Sequence, residues 1–151
     1  MRVGYHYTTL KNWEKIEKEG LIPYLPEEHD NLYIRTDHWS LRIHFGENGE
    51  LPKMIWIWEK KQSSLSHLGN ILFQAASKNE TKIVLLEVQF KKSDIMISKF
   101  KHKKGAQNIY HDGQIGNFIY HEQEEALLLK NVIPPERVIL LKYYDLEELL
   151  S

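Results

Sequence analysis

Two short segments of this sequence carry residues whose types and spacing suit chemistry. In Tyr5-His6-Tyr7-Thr8-Thr9, a histidine and a hydroxyl stand two residues apart on a strand candidate. Side chains alternate along a strand, so His6 and Thr8 project to one side and are placed to hold a polar ligand together. The bland alternative is a half-buried histidine beside a threonine that caps a helix. In His121-Glu122-Gln123-Glu124-Glu125, an acidic cluster leads straight into the apolar run Ala126-Leu127-Leu128-Leu129. The same alternation sets Gln123 and Glu125 on one face and Glu122 and Glu124 on the other. We take Glu125 as the carboxylate in register, because the apolar run follows it at once; the alternative is a solvated acidic turn.

Other chemistries find less support. The chain has eight histidines, but none has the partner spacing of a zinc site. A serine elbow, a phosphate-binding glycine loop and a dinucleotide fingerprint are missing too. There is no cysteine, which removes thiol catalysis, Cys-ligated zinc and disulfide staples, and which suits a reducing cytoplasm. One basic run, Lys99-Phe100-Lys101-His102-Lys103-Lys104, sets four lysines beside an aromatic ring. Such a run suits phosphates and a stacked base, although a solvated loop has the same composition.

The elements that position these residues follow from periodicity. Arg2 to Tyr7 reads as a strand that runs into a helix capped by Thr8 or Thr9. Leu10, Trp13, Ile16 and Leu21 form that helix's buried stripe, and Gly20 ends it. Leu32–Thr36, Met54–Glu59 and Lys82–Phe90 read as strands, the first half of the last covered on both faces. Helices are expected at His38–Phe45 and at Ser64–Ser77. Beyond residue 80 the chain turns β-rich, with strands expected at Ile95–Ser98, Gly116–His121, Glu125–Lys130 and Val138–Tyr144. Asp112-Gly113 is a turn signal, and Pro134-Pro135 breaks the chain before the last strand. Helices and strands first, then mostly strands, imply an α+β fold.

The whole of 1–151 is expected to be a single domain: 151 residues, 42% hydrophobic and 27% charged, match an ordinary globular chain. With 20 Lys+Arg against 21 Asp+Glu, the net charge of -1 advertises neither nucleic acid nor anionic lipid. No signal-peptide core or bilayer-length apolar run is present, so no membrane partner is expected and the cytoplasm is the expected location.

Three blocks in order bear a family resemblance. "YHYTTLKNWEKIEKEGLIP" resembles the opening of the ADP-ribosyltransferase-like family, a strand ending in His-x-Thr followed by a helix, "EGL" and a proline. "NLYIRTDHWSLRIHFG" is similar to its second block, and "QEEALLLKNVIPPERVILLK" resembles its third. The resemblance implies two packed, mainly antiparallel sheets that form a cleft, with N-terminal helices. It implies NAD as substrate, no metal, and an acceptor of protein, nucleic acid or small molecule. By this likeness His6 would bond a ribose hydroxyl, the Tyr7 backbone would meet the nicotinamide amide, and Thr8 would be the accompanying hydroxyl. Tyr33, with Trp39 as its rival, would stack on nicotinamide; Glu125 would be the catalytic glutamate and Gln123 its partner. A non-catalytic domain of the same family, or a nucleic-acid module built on the Lys99–Lys104 loop, is the alternative function.

Overall fold

A computed structural model describes residues 1–24, 52–61, 80–100, 105–111, 114–120 and 126–145, with backbone alone for 100, 105–111 and 114–120. The chain opens as β1 (Arg2–Thr9), which runs without a break into α1 (Leu10–Glu19). Thr9 is the N-cap, its hydroxyl accepting the backbone N–H of Asn12 at 3.2 Å. Gly20 closes the helix at φ 87°, a left-handed value that side chains resist, and its N–H returns to the Ile16 carbonyl.

Apart from two 3-10 turns, Lys92–Asp94 and Pro135–Arg137, the remaining described elements are strands: β2 (Ile55–Trp58), β3 (Lys82–Phe90), β4 (Ile95–Phe100), β5 (Gly105–His111), β6 (Gln114–Tyr120), β7 (Ala126–Leu129) and β8 (Val138–Asp145). Six of them form one antiparallel sheet in the order β4-β7-β2-β1-β3-β8. The other two, β5 and β6, pair with each other from Gly105↔Tyr120 to His111↔Gln114.

This arrangement overturns the expected α+β architecture of two packed sheets enclosing a cleft, with several N-terminal helices. Among the described residues there is one six-stranded sheet, a separate two-stranded ladder and one α-helix. The reason lies in pairing. β1 and β2, from the start of the chain, are inserted between β7 and β3 rather than assembled into a layer of their own. Burial patterns along a strand tell which face is covered, but not which strand stands beside it. The helices expected at His38–Phe45 and Ser64–Ser77, and the strand at Leu32–Thr36, lie outside the described residues.

Both faces of the sheet's middle are covered. Ile55, Ile57, Val84, Leu86, Val88, Phe90, Leu127 and Leu129 pack on the α1 side with Ile16. Tyr7, Trp58, Ile83, Leu85 and Ala126 cluster on the other, joined by Tyr5, Trp56 and Tyr144. Fully buried strands of this kind lose the apolar/polar alternation of a half-wet sheet, as the run Ile83 to Leu86 shows. No helix among the described residues is long and apolar enough to cross a membrane.

Candidate functional site

β1 carries three of the six candidate residues, and the sheet sorts them by face. His6 pairs with Leu86 and Thr8 with Val84, both residues of the α1-side core. Tyr7 belongs to the opposite cluster with Trp58 and Leu85. His6 and Thr8 therefore share a face, as their spacing requires, and Tyr7 turns its ring away from them. All three are buried.

The histidine's proton is fixed by a backbone contact. His6 Nδ1 lies 2.7 Å from the Trp56 carbonyl oxygen on β2. A carbonyl only accepts, so Nδ1 holds the hydrogen. Burial holds the imidazole below the usual histidine range, and the Trp56 carbonyl, which pulls the other way, does not overcome it. His6 is thus neutral at pH 7, with Nε2 a bare lone pair fit to accept a hydroxyl proton. Thr8 is fixed in the complementary way: its Oγ1 accepts from Asn12 Nδ2 at 2.9 Å.

Glu125, Gln123 and Tyr33 lie outside the described residues, as do Glu122, Glu124 and Trp39. The strand that follows the acidic cluster is described. β7 begins at Ala126, the residue after Glu125, and sits two strands from β1 across β2. Tyr5, Trp58 and Ala126 form one row across the three strands. Leu127 and Leu129 point to the α1-side core, the His6 face, while Ala126 joins the opposite cluster.

Of the basic run, Lys99 lies exposed in β4, while Lys101, His102, Lys103 and Lys104 fall outside the described residues.

Three residues that sequence reasoning passed over turn out to carry bonds. Trp56 serves through its carbonyl, which no side-chain pattern advertises. Asn12, in the first turn of α1, is tied to Thr8 by a bond that becomes visible only once β1 and α1 are joined. Asp94, in the 3-10 turn Lys92–Asp94, is buried and accepts from the Lys91 N–H at 2.8 Å, Asn131 Nδ2 at 3.0 Å and Arg137 at 3.4 Å. Burial alone would raise its pKa; the three donors and the guanidinium charge outweigh that and hold the carboxyl below its ordinary value. So fully bonded a carboxylate is a structural tie, not a reactive group.

No protein-family model, no curated protein and no solved structure matches the chain.

Proposed function

We propose that this protein splits NAD at the nicotinamide–ribose bond and passes the ADP-ribosyl group to an acceptor, or to water. The observation that carries the reading is an adjacency: β7, which starts one residue after Glu125, lies two strands from His6 in the same sheet and turns its odd-numbered residues to the His6 face. Ala126, 120 positions after His6 in the sequence, thereby lies in the same sheet as that histidine. The reading rests on these side chains and on the three sequence blocks, not on the discarded two-sheet architecture.

The chemistry follows from charge. As the C1′–N bond breaks, its electron pair leaves with nicotinamide and positive charge builds on the ribose. A carboxylate beside the 2′-hydroxyl, the role given to Glu125 with Gln123 as neighbour, stabilises that state more than the ground state. The acceptor's oxygen or nitrogen then bonds C1′ and gives up its proton to solvent water. His6, neutral, accepts a hydrogen bond from a ribose hydroxyl remote from the breaking bond, Tyr7 offers its backbone to the carboxamide, and Tyr33 stacks on the leaving ring. The absence of cysteine agrees with a cytoplasmic setting for this activity.

Release of free nicotinamide from NAD, followed by chromatography, tests the reading. The parent should release it and Glu125→Gln should lower the rate by roughly 10²–10³, the usual loss for one preorganised electrostatic partner. Glu122→Gln and Glu124→Gln should stay near the parent. A parent that neither binds NAD nor releases nicotinamide overturns the proposal, and a loss with Glu124→Gln alone moves the catalytic position by one residue.

A further inference from the structure

We propose that Asn12 is a positioning residue that sets the sense of the Thr8 hydrogen bond, making Thr8 a donor toward the ligand; this rests on the NAD reading of the His6–Thr8 site. A hydroxyl both gives and accepts, so by itself Thr8 has no fixed polarity. Asn12 removes the freedom. Its Nδ2 donates to Thr8 Oγ1 at 2.9 Å, which occupies a lone pair on that oxygen and leaves the hydroxyl hydrogen for another partner. Two residues away on the same face, the Trp56 carbonyl holds His6 Nδ1–H and leaves Nε2 as an acceptor. One site thus presents a committed acceptor, His6, beside a committed donor, Thr8. Each is oriented by another group of the chain, the Trp56 carbonyl for His6 and the Asn12 amide for Thr8.

Asn12 is itself well anchored. It is the third residue of α1, and its backbone N–H is bound to the Thr9 cap at 3.2 Å, so β1 and the first turn of α1 hold the amide over Thr8. The geometry also offers an isosteric reversal. In Asn12→Asp the carboxylate can only accept, so the Thr8 hydroxyl must turn its hydrogen back to residue 12 and no longer donates outward. The cap bond to Thr9 is retained, and a negative charge in the first turn of a helix is favourable. Folding stability should therefore hold or rise while ligand binding falls, a split that a purely structural role for Asn12 would not produce.

The test is NAD titration by calorimetry on the full chain, with melting temperature measured alongside, for the parent, Asn12→Asp, Thr8→Val and the double variant. Asn12→Asp should weaken NAD binding about tenfold, the equivalent of one good hydrogen bond, and raise KM more than it lowers kcat. Thr8→Val should weaken it by a similar factor. In the Thr8→Val background, Asn12→Asp should add nothing. If Asn12→Asp binds NAD like the parent, the bond runs in the other sense and the inference is overturned while the NAD reading stands. If the aspartate weakens binding just as much without the Thr8 hydroxyl, simple charge repulsion is at work and the inference is again overturned. A parent that binds no NAD removes the underlying reading, and the inference goes with it.

Discussion

His6 offers the sharpest residue-scale test, because its two roles separate. As a ligand to a remote hydroxyl it contributes similarly to ground and transition states, so His6→Ala should raise KM for NAD more than it lowers kcat. One lost hydrogen bond corresponds to roughly 2- to 15-fold. An unchanged NAD affinity in a folded His6→Ala protein would make His6 a packing residue. As a buried neutral imidazole it also couples folding to pH. Its pKa is lower in the folded chain than the ordinary 6.5, so below that pH the unfolded chain binds the extra proton first. The stabilisation is complete above about pH 6.5 and is lost as the pH falls toward the folded-state value. Melting curves between about pH 7.5 and about pH 5 should therefore fall more steeply for the parent than for His6→Gln, and the difference isolates His6 from the other seven histidines. Parallel curves would contradict this. The shared face of His6 and Thr8 was legible in the sequence, since period-two alternation needs nothing but a strand. The neutral tautomer was not, because it depends on which carbonyl β2 brings alongside.

Elements show the same division between local and non-local information. The first strand, its threonine cap, α1 and the terminating Gly20 were readable because each depends on neighbours within a turn or two. The strand at β5 was missed: Gly105 to His111 has no clean alternation, and it owes its place to pairing with β6 across the two-residue connection at Asp112-Gly113. Gly20→Ala should test the helix stop. Besides the positive φ, a Cβ there runs into the Ile133 carbonyl, whose bond to the Leu21 N–H is 2.8 Å. The variant should lose about 1–3 kcal/mol in urea unfolding, and a loss near zero would mean that the turn relaxes freely. Asp94 belongs to this scale too, since it fastens the turn after β3 to the segment between β7 and β8 through Asn131 and Arg137. Asp94→Ala leaves the Arg137 charge, 16% exposed, without its counter-ion and should cost about 3–5 kcal/mol. Because the Asp94 pKa is depressed in the folded chain, its contribution is complete above about pH 4 and fades as acid titrates it, so the parent and Asp94→Ala should converge in stability at low pH.

For the molecule as a whole, the sheet order β4-β7-β2-β1-β3-β8 interleaves the ends of the chain. That order is what the sequence could not disclose: MIWIW at residues 54–58 reads as a strand, but nothing in it names Ala126–Leu129 and Tyr5 as its neighbours. It also sets how the protein is made. β1 leaves the ribosome well before its partner β3, which begins at residue 82. β2 stays unpaired on one side until β7 is synthesised at residues 126–129, and β3 until β8 arrives at 138–145. A growing chain of roughly a hundred residues thus still lacks the described partners of two strand edges rich in Ile, Val, Leu and Trp. Pairings of this span carry a large loop-closure cost, which places the domain among slow folders, in milliseconds to seconds rather than microseconds. The protein's vulnerable interval is therefore its birth: ribosome-bound chains arrested before residue 126 should be cut readily by protease within β2 and should need a chaperone's cover until β7 and β8 emerge.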